Sequence, residues 1–232
     1  MCYIKYRAIV KVTRKQRSSG HMLIVSLVSS SWIILVQMDV QEDVSMPSIK
    51  LSLLGDSQSV RMVKIWKRDL GRFQLETSCI HSGWTTGQLK EAVWSKLSAM
   101  EFKCFIFIGI NDVIRKVHLQ EITRNIKSIL HCLVRNHRNI YIATLPPLLN
   151  CTAEQAEKIK MINVYILSFR TSKSITVLPF HQLFPPFSEL KQEYYQLRYF
   201  NGRQDNVHLS TLGLKVLKER ITSVVGADNI NH

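Results

Sequence analysis

Short apolar runs alternate with amphipathic stretches along the chain from residue 49 onward. Five of the runs have the length and composition of β-strands. The run at 102–108 (FKCFIFI) is almost entirely apolar, as expected for a central parallel strand that is covered on both faces. The predicted strands are 49–54, 73–80, 102–108, 140–145 and 174–178.

Between these strands, apolar residues recur every three or four positions, which is the spacing of one face of an α-helix. Ser210 stands where the last of these helices begins, so we expect it to be the N-cap. Five strands separated by helices require right-handed crossovers and therefore predict a parallel, doubly wound sheet. The predicted helices are 58–72, 88–100, 119–136, 153–170 and 210–225.

The first 46 residues follow a different pattern and form a predicted extension to a domain at 47–232. Residues 1–38 carry six basic residues and no acidic one, and 22–38 has no charge at all. A basic flank before an apolar span is typical of a signal anchor. However, the span is short for a bilayer, and four serines dilute it. The alternatives are an accessory strand or a poorly ordered tail. Such a tail could also result from imprecise gene prediction.

The composition excludes a disordered chain, because 46% of the 232 residues are hydrophobic and 21% are charged. The net charge of +14 favours phosphate-bearing partners or anionic membranes, but it does not identify a fold. None of the five cysteines forms a C-x-x-C pair, so we expect neither a zinc site nor any other metal or cofactor. Cys79 and Cys104 lie in apolar runs, and buried thiols favour a reducing, cytoplasmic location over secretion.

Three segments with chemically useful side chains follow predicted strands, where parallel sheets bind ligands. Gly55-Asp56-Ser57 follows the first strand and would present the Ser57 hydroxyl at the start of a helix, although Asp and Ser are also common N-caps. Gly83 follows the second strand and could offer a backbone N–H, although a turn glycine is the simpler interpretation. Asn111 follows the third strand, where its amide could serve an oxyanion hole or an Asx turn.

A fourth segment, Asp205-Asn206-Val207-His208, precedes the last helix. Asp205 could fix the tautomer of His208 and leave the other ring nitrogen free to take a proton from Ser57. Each segment has a structural alternative when it is considered alone. Together, a serine, an Asp–His pair and several N–H donors are the groups that acyl transfer requires.

At these four segments the chain resembles the SGNH (GDSL-type) hydrolases over about residues 49–225. The resemblance implies a flavodoxin-like three-layer α/β/α fold and a serine esterase, lipase or deacetylase that acts on a small ester. Ser57 would be the nucleophile, His208 the general base and Asp205 its orienting group. The N–H groups of Ser57 and Gly83, with the Asn111 amide, would bind the oxyanion. Gln58 departs from the Leu of the family motif, at a variable position.

The OSK-like branch of the same superfamily suggests a second interpretation, in which the domain binds RNA and hydrolyses nothing. Basic residues spaced along one predicted helix would support it, although a solvated helix face is the plainer interpretation. Further basic residues stand at 115–116 and 135–138. Two more lie in a cluster with aromatic residues, and this cluster could equally line an acyl pocket. The helix carries Arg61, Lys64, Arg68 and Arg72, and the cluster combines Arg198 and Arg203 with Tyr194, Tyr195, Tyr199 and Phe200.

Overall fold

The structure is a computed structural model in which the chain divides into two compact units, Met1–Pro47 and Ser48–His232. Each unit has its own β-sheet, and each is described below by itself. The described residues are 10–16, 21–29, 32–39, 49–66, 73–136, 138–185, 192–198, 205 and 207–227.

The first unit contains an antiparallel sheet of three strands in the order β1-β2-β3. The strands are β1 (Val10–Gln16), β2 (His21–Ser29) and β3 (Trp32–Asp39). The described residues of the apolar span, 22–29 and 32–38, lie in the paired strands β2 and β3. Among the described residues, no helix is long and apolar enough to cross a membrane.

The second unit contains five parallel strands in the order β5-β4-β6-β7-β8. Their positions agree with the five predicted strands to within two residues at either end. The order is that of a flavodoxin-like sheet, and helices complete a three-layer α/β/α fold. The strands are β4 (Ile49–Gly55), β5 (Phe73–Ile80), β6 (Lys103–Phe107), β7 (Asn139–Ala143) and β8 (Ile175–Leu178).

The helices follow the predicted order, with one addition. Ser210 accepts a hydrogen bond from the Gly213 N–H at 3.2 Å, which confirms its role as N-cap. Asn111, which sequence reasoning left in a loop or turn, lies in the additional short helix α3. The helices are α1 (Ser57–Trp66), α2 (Thr86–Lys96), α3 (Ile110–Ile114), α4 (Leu119–Arg135), α5 (Ala153–Leu167) and α6 (Thr211–Ala227).

The central strand β6 is buried from Cys104 to Phe107, as its apolar sequence predicts. Phe105 and Phe107 contact the Phe180 ring at centroid distances of 6.0 and 5.7 Å. Cys79 and Cys104 are buried in the core, as predicted. Burial raises the pKa of the Cys104 thiol to about 12, so the group remains protonated within the core.

The strand order reverses at β4, which lies between β5 and β6. In doubly wound sheets, the crevice at such a reversal is the usual place for a ligand. Ser57 lies just beyond the end of β4, and Asn111 lies just beyond the end of β6. The topology therefore places two of the predicted site residues on either side of this crevice.

Gly55, the last residue of β4, tolerates no side chain. A Cβ atom there would lie 2.2 Å from both the Phe107 carbonyl oxygen and the Ser59 Oγ atom. We therefore expect Gly55→Ala to lower the free energy of unfolding by about 1–3 kcal/mol, the usual cost of overpacking. Urea denaturation measures this change. Gly87→Ala is the control, since its Cβ would lie 3.5 Å from its nearest neighbour. Equal unfolding free energies for the two variants would contradict this steric argument.

Candidate active site

A continuous series of hydrogen bonds joins a hydroxyl, an imidazole and a carboxylate at the edge of the sheet. The Oγ atom of Ser57 lies 2.8 Å from Nε2 of His208. The Nδ1 atom of His208 lies 2.8 Å from Oδ2 of Asp205. Because an ionised carboxylate only accepts, Nδ1 carries the proton and Nε2 is left to accept from the hydroxyl. The structure thus brings together the three residues that sequence analysis selected as a catalytic group.

Asp205 holds His208 through the backbone as well as through the ring. Its Oδ1 atom accepts from the N–H groups of Val207 at 3.1 Å and His208 at 3.0 Å. The carboxylate is fully buried, whereas 14% of the imidazole is exposed. The short Asp-x-x-His spacing therefore determines which ring nitrogen faces Ser57.

Asp56, the residue before Ser57, is the N-cap of helix α1. Its Oδ1 atom accepts from the Gln58 N–H at 3.0 Å, and its carbonyl accepts from Val60 at 3.1 Å. The segment therefore does supply the N-cap of the helix, as the alternative interpretation expected, but through Asp56 and not through Ser57. Since Asp56 satisfies the helix terminus, the Ser57 hydroxyl is left to contact His208.

Asn111 lies between Asp56 and the loop after β5. Its Nδ2 atom donates to the Trp84 carbonyl at 3.0 Å and to Oδ2 of Asp56 at 3.3 Å. The pKa of the Asp56 carboxyl is raised to about 7. Burial is the main cause and the nearby Asp112 charge adds to it, whereas the hydrogen bond from Gln58 lowers the pKa. The amide is thus held beside a carboxyl that titrates near neutral pH.

Gly83 lies in the loop after β5 and has a φ angle of +82°, a backbone conformation that favours glycine. The guanidinium of Arg115 donates to its carbonyl at 2.9 Å. The next residue, Trp84, accepts from Asn111 and stacks on the ring of His81 at a centroid distance of 5.4 Å. Gly83 is therefore linked to Asn111 through a single residue.

Asp112, the residue after Asn111, has a structural role and contacts Thr86. It is buried and accepts from the Thr86 N–H at 2.9 Å and the Thr86 hydroxyl at 2.7 Å. Burial raises the pKa of Asp112, and the bonds from Thr86 oppose that shift. Asn125 donates to the same hydroxyl at 3.3 Å, so this group joins α3, α2 and α4.

The basic residues proposed for RNA binding do not share one exposed face in the described part of α1. Arg61 donates to the Leu209 carbonyl at 3.1 Å, which makes it a contact within the protein, whereas Lys64 is exposed. Arg198 is exposed, but Tyr195 beside it is buried, and its hydroxyl donates to the Pro147 carbonyl. Arg68, Arg72, Arg203, Tyr199 and Phe200 lie outside the described residues.

Sequence analysis offered Asp56 only a possible N-cap role and gave Gln58 none, although both are buried at the site. A carboxylate directly before a helix is a recognisable N-cap signal, which is why the sequence indicated that role for Asp56. The contacts of Gln58 reach Val207 and Leu209, 149 and 151 residues away in the sequence, and no local pattern indicates them. In the described part of the chain, no three His, Cys, Asp or Glu side chains are grouped to hold a metal ion.

Comparison with known proteins connects the second unit to one family and to one fold. A family model described as OSK domain matches residues 47–220. No curated protein matches the sequence. Three solved structures have a similar fold. A GDSL-like lipase from Bacteroides thetaiotaomicron is 14% identical with a TM-score of 0.64, and the match covers 77% of this chain and 88% of that chain. A lipase/acylhydrolase from Enterococcus faecalis is 18% identical with a TM-score of 0.62 (79% and 97% covered), and the OSK domain of Drosophila Oskar is 17% identical with a TM-score of 0.57 (74% and 86% covered).

The pKa of Asp56 predicts a pH-dependent term in stability that Asp56→Asn removes. Between about pH 4 and pH 7, the folded protein keeps a proton on this group that the unfolded chain releases. The contribution of Asp56 to the free energy of unfolding is therefore fully present below pH 4 and is lost as the pH rises to 7. The total loss is about 4 kcal/mol. Urea denaturation from pH 4 to 7 should show the wild type losing stability relative to Asp56→Asn.

The control for this measurement is Glu219→Gln, which changes an exposed carboxylate on α6. Its unfolding free energy should run parallel to that of the wild type across the range. Parallel curves for Asp56→Asn and the wild type would contradict a carboxyl that is protonated in the folded state.

Proposed function

The chain belongs to the OSK domain family within the SGNH superfamily, and from this premise we propose that it is a serine hydrolase of carboxylic esters. The observation that carries the proposal is the series of hydrogen bonds from Ser57 through His208 to Asp205. A buried carboxylate, an imidazole whose Nε2 atom faces the hydroxyl and a hydroxyl 2.8 Å from that nitrogen are the groups of a nucleophile and its general base. The fold that this chain shares with solved lipases and esterases supports the same chemistry.

In the proposed reaction, His208 Nε2 takes the proton of Ser57 as Oγ attacks the carbonyl carbon of the ester. The Asp205 carboxylate stabilises the imidazolium that forms, without taking the proton itself. His208 then protonates the leaving alcohol, and an acyl group remains on Ser57. Water, deprotonated by His208, attacks the acyl-enzyme, and the acid leaves as Ser57 regains its proton. Each step uses only groups of this chain, the ester and water.

The tetrahedral intermediates carry a negative oxygen, and three groups of the chain are proposed to bind it. They are the N–H of Ser57 at the start of α1, the N–H of Gly83 and the side-chain amide of Asn111. In the structure the Asn111 amide donates to Trp84 and Asp56. We expect donation to the oxyanion to replace the longer of these bonds, the 3.3 Å contact with Asp56. The bond to Trp84 would then keep the amide in place.

Removal of the nucleophile gives the direct test. We expect Ser57→Ala to lower kcat for p-nitrophenyl esters by about 10⁴-fold or more, because the remaining donors cannot form an acyl-enzyme. Release of p-nitrophenol from acyl chains of two to twelve carbons measures the rate and also identifies the preferred length.

Ser59→Ala is the matched control, because Ser59 is a buried serine in the same helix that contacts the Phe107 carbonyl. Its kcat should stay close to the wild-type value. The hydrolase proposal fails if the wild type shows no turnover across the panel. It also fails if Ser57→Ala and Ser59→Ala retain the same rate.

RNA binding is a second candidate function, and an exposed basic face of α4 favours it. Arg124, Lys127, His131 and Arg135 recur every three or four residues and are all exposed. No ion pair to these side chains is formed within the described part of the chain. A groove of about 350 Å³ beside this face is lined by His131, Arg135 and Trp94, whose side chain is 62% exposed. Cations next to an exposed aromatic ring fit the phosphates and bases of single-stranded RNA.

Neutralising this face should weaken RNA binding in a salt-dependent way. For Arg124→Ala/Lys127→Ala/Arg135→Ala, we expect the slope of log K against log salt to become shallower by about 2, which is three contacts at about 0.7 each. Fluorescence anisotropy with a labelled single-stranded oligonucleotide at several salt concentrations measures the slope.

A charge-matched control changes three other exposed basic residues, in the variant Lys160→Ala/Arg170→Ala/Lys173→Ala. The same slope for both triple variants would assign the binding to net charge and would contradict a site on α4. Ser57→Ala should bind RNA as the wild type does, since the two candidate functions use different residues.

A further inference from the structure

Gln58 is the second residue of α1, and its amide bridges the two backbone groups that flank His208. It is almost fully buried. Its Nε2 atom donates to the Val207 carbonyl at 2.7 Å, and its Oε1 atom accepts from the Leu209 N–H at 3.3 Å. One side chain therefore satisfies a backbone acceptor before His208 and a backbone donor after it.

The backbone around His208 is held from two sides. On one side, α1 supplies the amide of Gln58 and the guanidinium of Arg61, which donates to the Leu209 carbonyl. On the other side, the segment 194–197 pairs with it through backbone bonds, which include Gln196 N–H to the His208 carbonyl at 2.8 Å. Buried backbone N–H and carbonyl groups need hydrogen-bond partners. Here α1 supplies some of these partners and the segment 194–197 supplies others.

We propose that Gln58 is a positioning residue that fixes the His208 backbone relative to the Ser57 hydroxyl, an inference that rests on the proposed hydrolase function. Ser57 and Gln58 are neighbours in one helix, so the amide bridge ties the imidazole to the element that carries the nucleophile. The 2.8 Å distance between Oγ and Nε2 then depends on a single rigid turn of helix. The segment 194–197 alone has no such direct link to Ser57.

The family motif has Leu at this position, and a leucine side chain has no donor or acceptor. Leucine at position 58 could therefore not form the bridge from α1 to Val207 and Leu209. Because Gln58 contacts backbone on both sides of His208, it supports the base from outside the reacting atoms. Its loss should therefore affect the chemical step more than the binding of the ester.

Kinetics of Gln58→Leu provide the first test. We expect kcat for the preferred p-nitrophenyl ester to fall by about 10²-fold, the usual effect of a misplacement of about 1 Å, while KM changes little. Gln58→Asn keeps the amide but shortens its reach, so we expect an intermediate kcat, and this variant also serves if Gln58→Leu fails to fold. Gln120→Leu, at an exposed position on α4, should match the wild type.

A second measurement reports on His208 without any hydrolysis. The proton on Nδ1, shared with Asp205, should give a slowly exchanging downfield NMR signal in protein with ¹⁵N-labelled histidine, and His208→Gln assigns it by deletion. We expect the signal to persist in Ser57→Ala and to broaden or vanish in Gln58→Leu and Gln58→Asn. This signal is a property of ring placement, which a loss of stability elsewhere would not change in the folded protein.

The outcomes separate this inference from the proposed function. A wild type without ester turnover contradicts the hydrolase proposal, yet a signal lost on Gln58→Leu would still support positioning of His208 by Gln58. A wild type that hydrolyses esters, combined with an unchanged kcat and an unchanged Nδ1 signal in folded Gln58→Leu, would overturn the positioning role. A fall in kcat without any change of the signal would overturn it as well.

Discussion

The hydrogen bond between the Ser57 hydroxyl and Nε2 of His208 joins positions that are 151 residues apart in the sequence. Such a contact forms only if the first and last segments of the domain reach the same edge of the sheet. The strand order supplies this condition, because its reversal at β4 opens a crevice beside the start of α1. Asp205 then sets the direction of the ring, since its carboxylate binds both Nδ1 and the backbone N–H of His208.

The site depends on a division of roles between adjacent polar residues. Asp56 caps α1, Ser57 faces the imidazole and Gln58 bridges the backbone on either side of His208. Each role follows from the position of the residue in one helical turn. A similar division separates Asn111, whose amide donates to Trp84 and Asp56, from Asp112, which anchors the start of α2 through Thr86. The buried carboxyls of Asp56 and Asp112 each accept hydrogen bonds at the start of a helix, α1 and α2 respectively.

Much of this arrangement follows from the sequence, because the strands and the ordered polar segments carry local signals. The five strands were predicted from apolar runs. The convergence of Ser57, His208 and Asp205 was predicted because Ser57 follows the first strand of the sheet, whereas Asp205 and His208 precede the last helix. The contact of Arg61 within the protein could not be predicted, since charge spacing on a helix does not reveal a carbonyl partner contributed by Leu209. The strands of the first unit were one alternative among several, because an apolar span of this length fits a helix or two strands equally well.

Covalent labelling by a fluorophosphonate probe tests most directly whether Ser57 and His208 form a working nucleophile and base. The probe reacts with a serine only where a neighbouring base activates it, so mass spectrometry of the digested protein locates the activated hydroxyl. We expect a single adduct on the peptide that contains Ser57, and no adduct when His208 is replaced by Gln. An adduct on another serine, or none in the wild type under conditions that label a known serine hydrolase, would contradict the proposed active site.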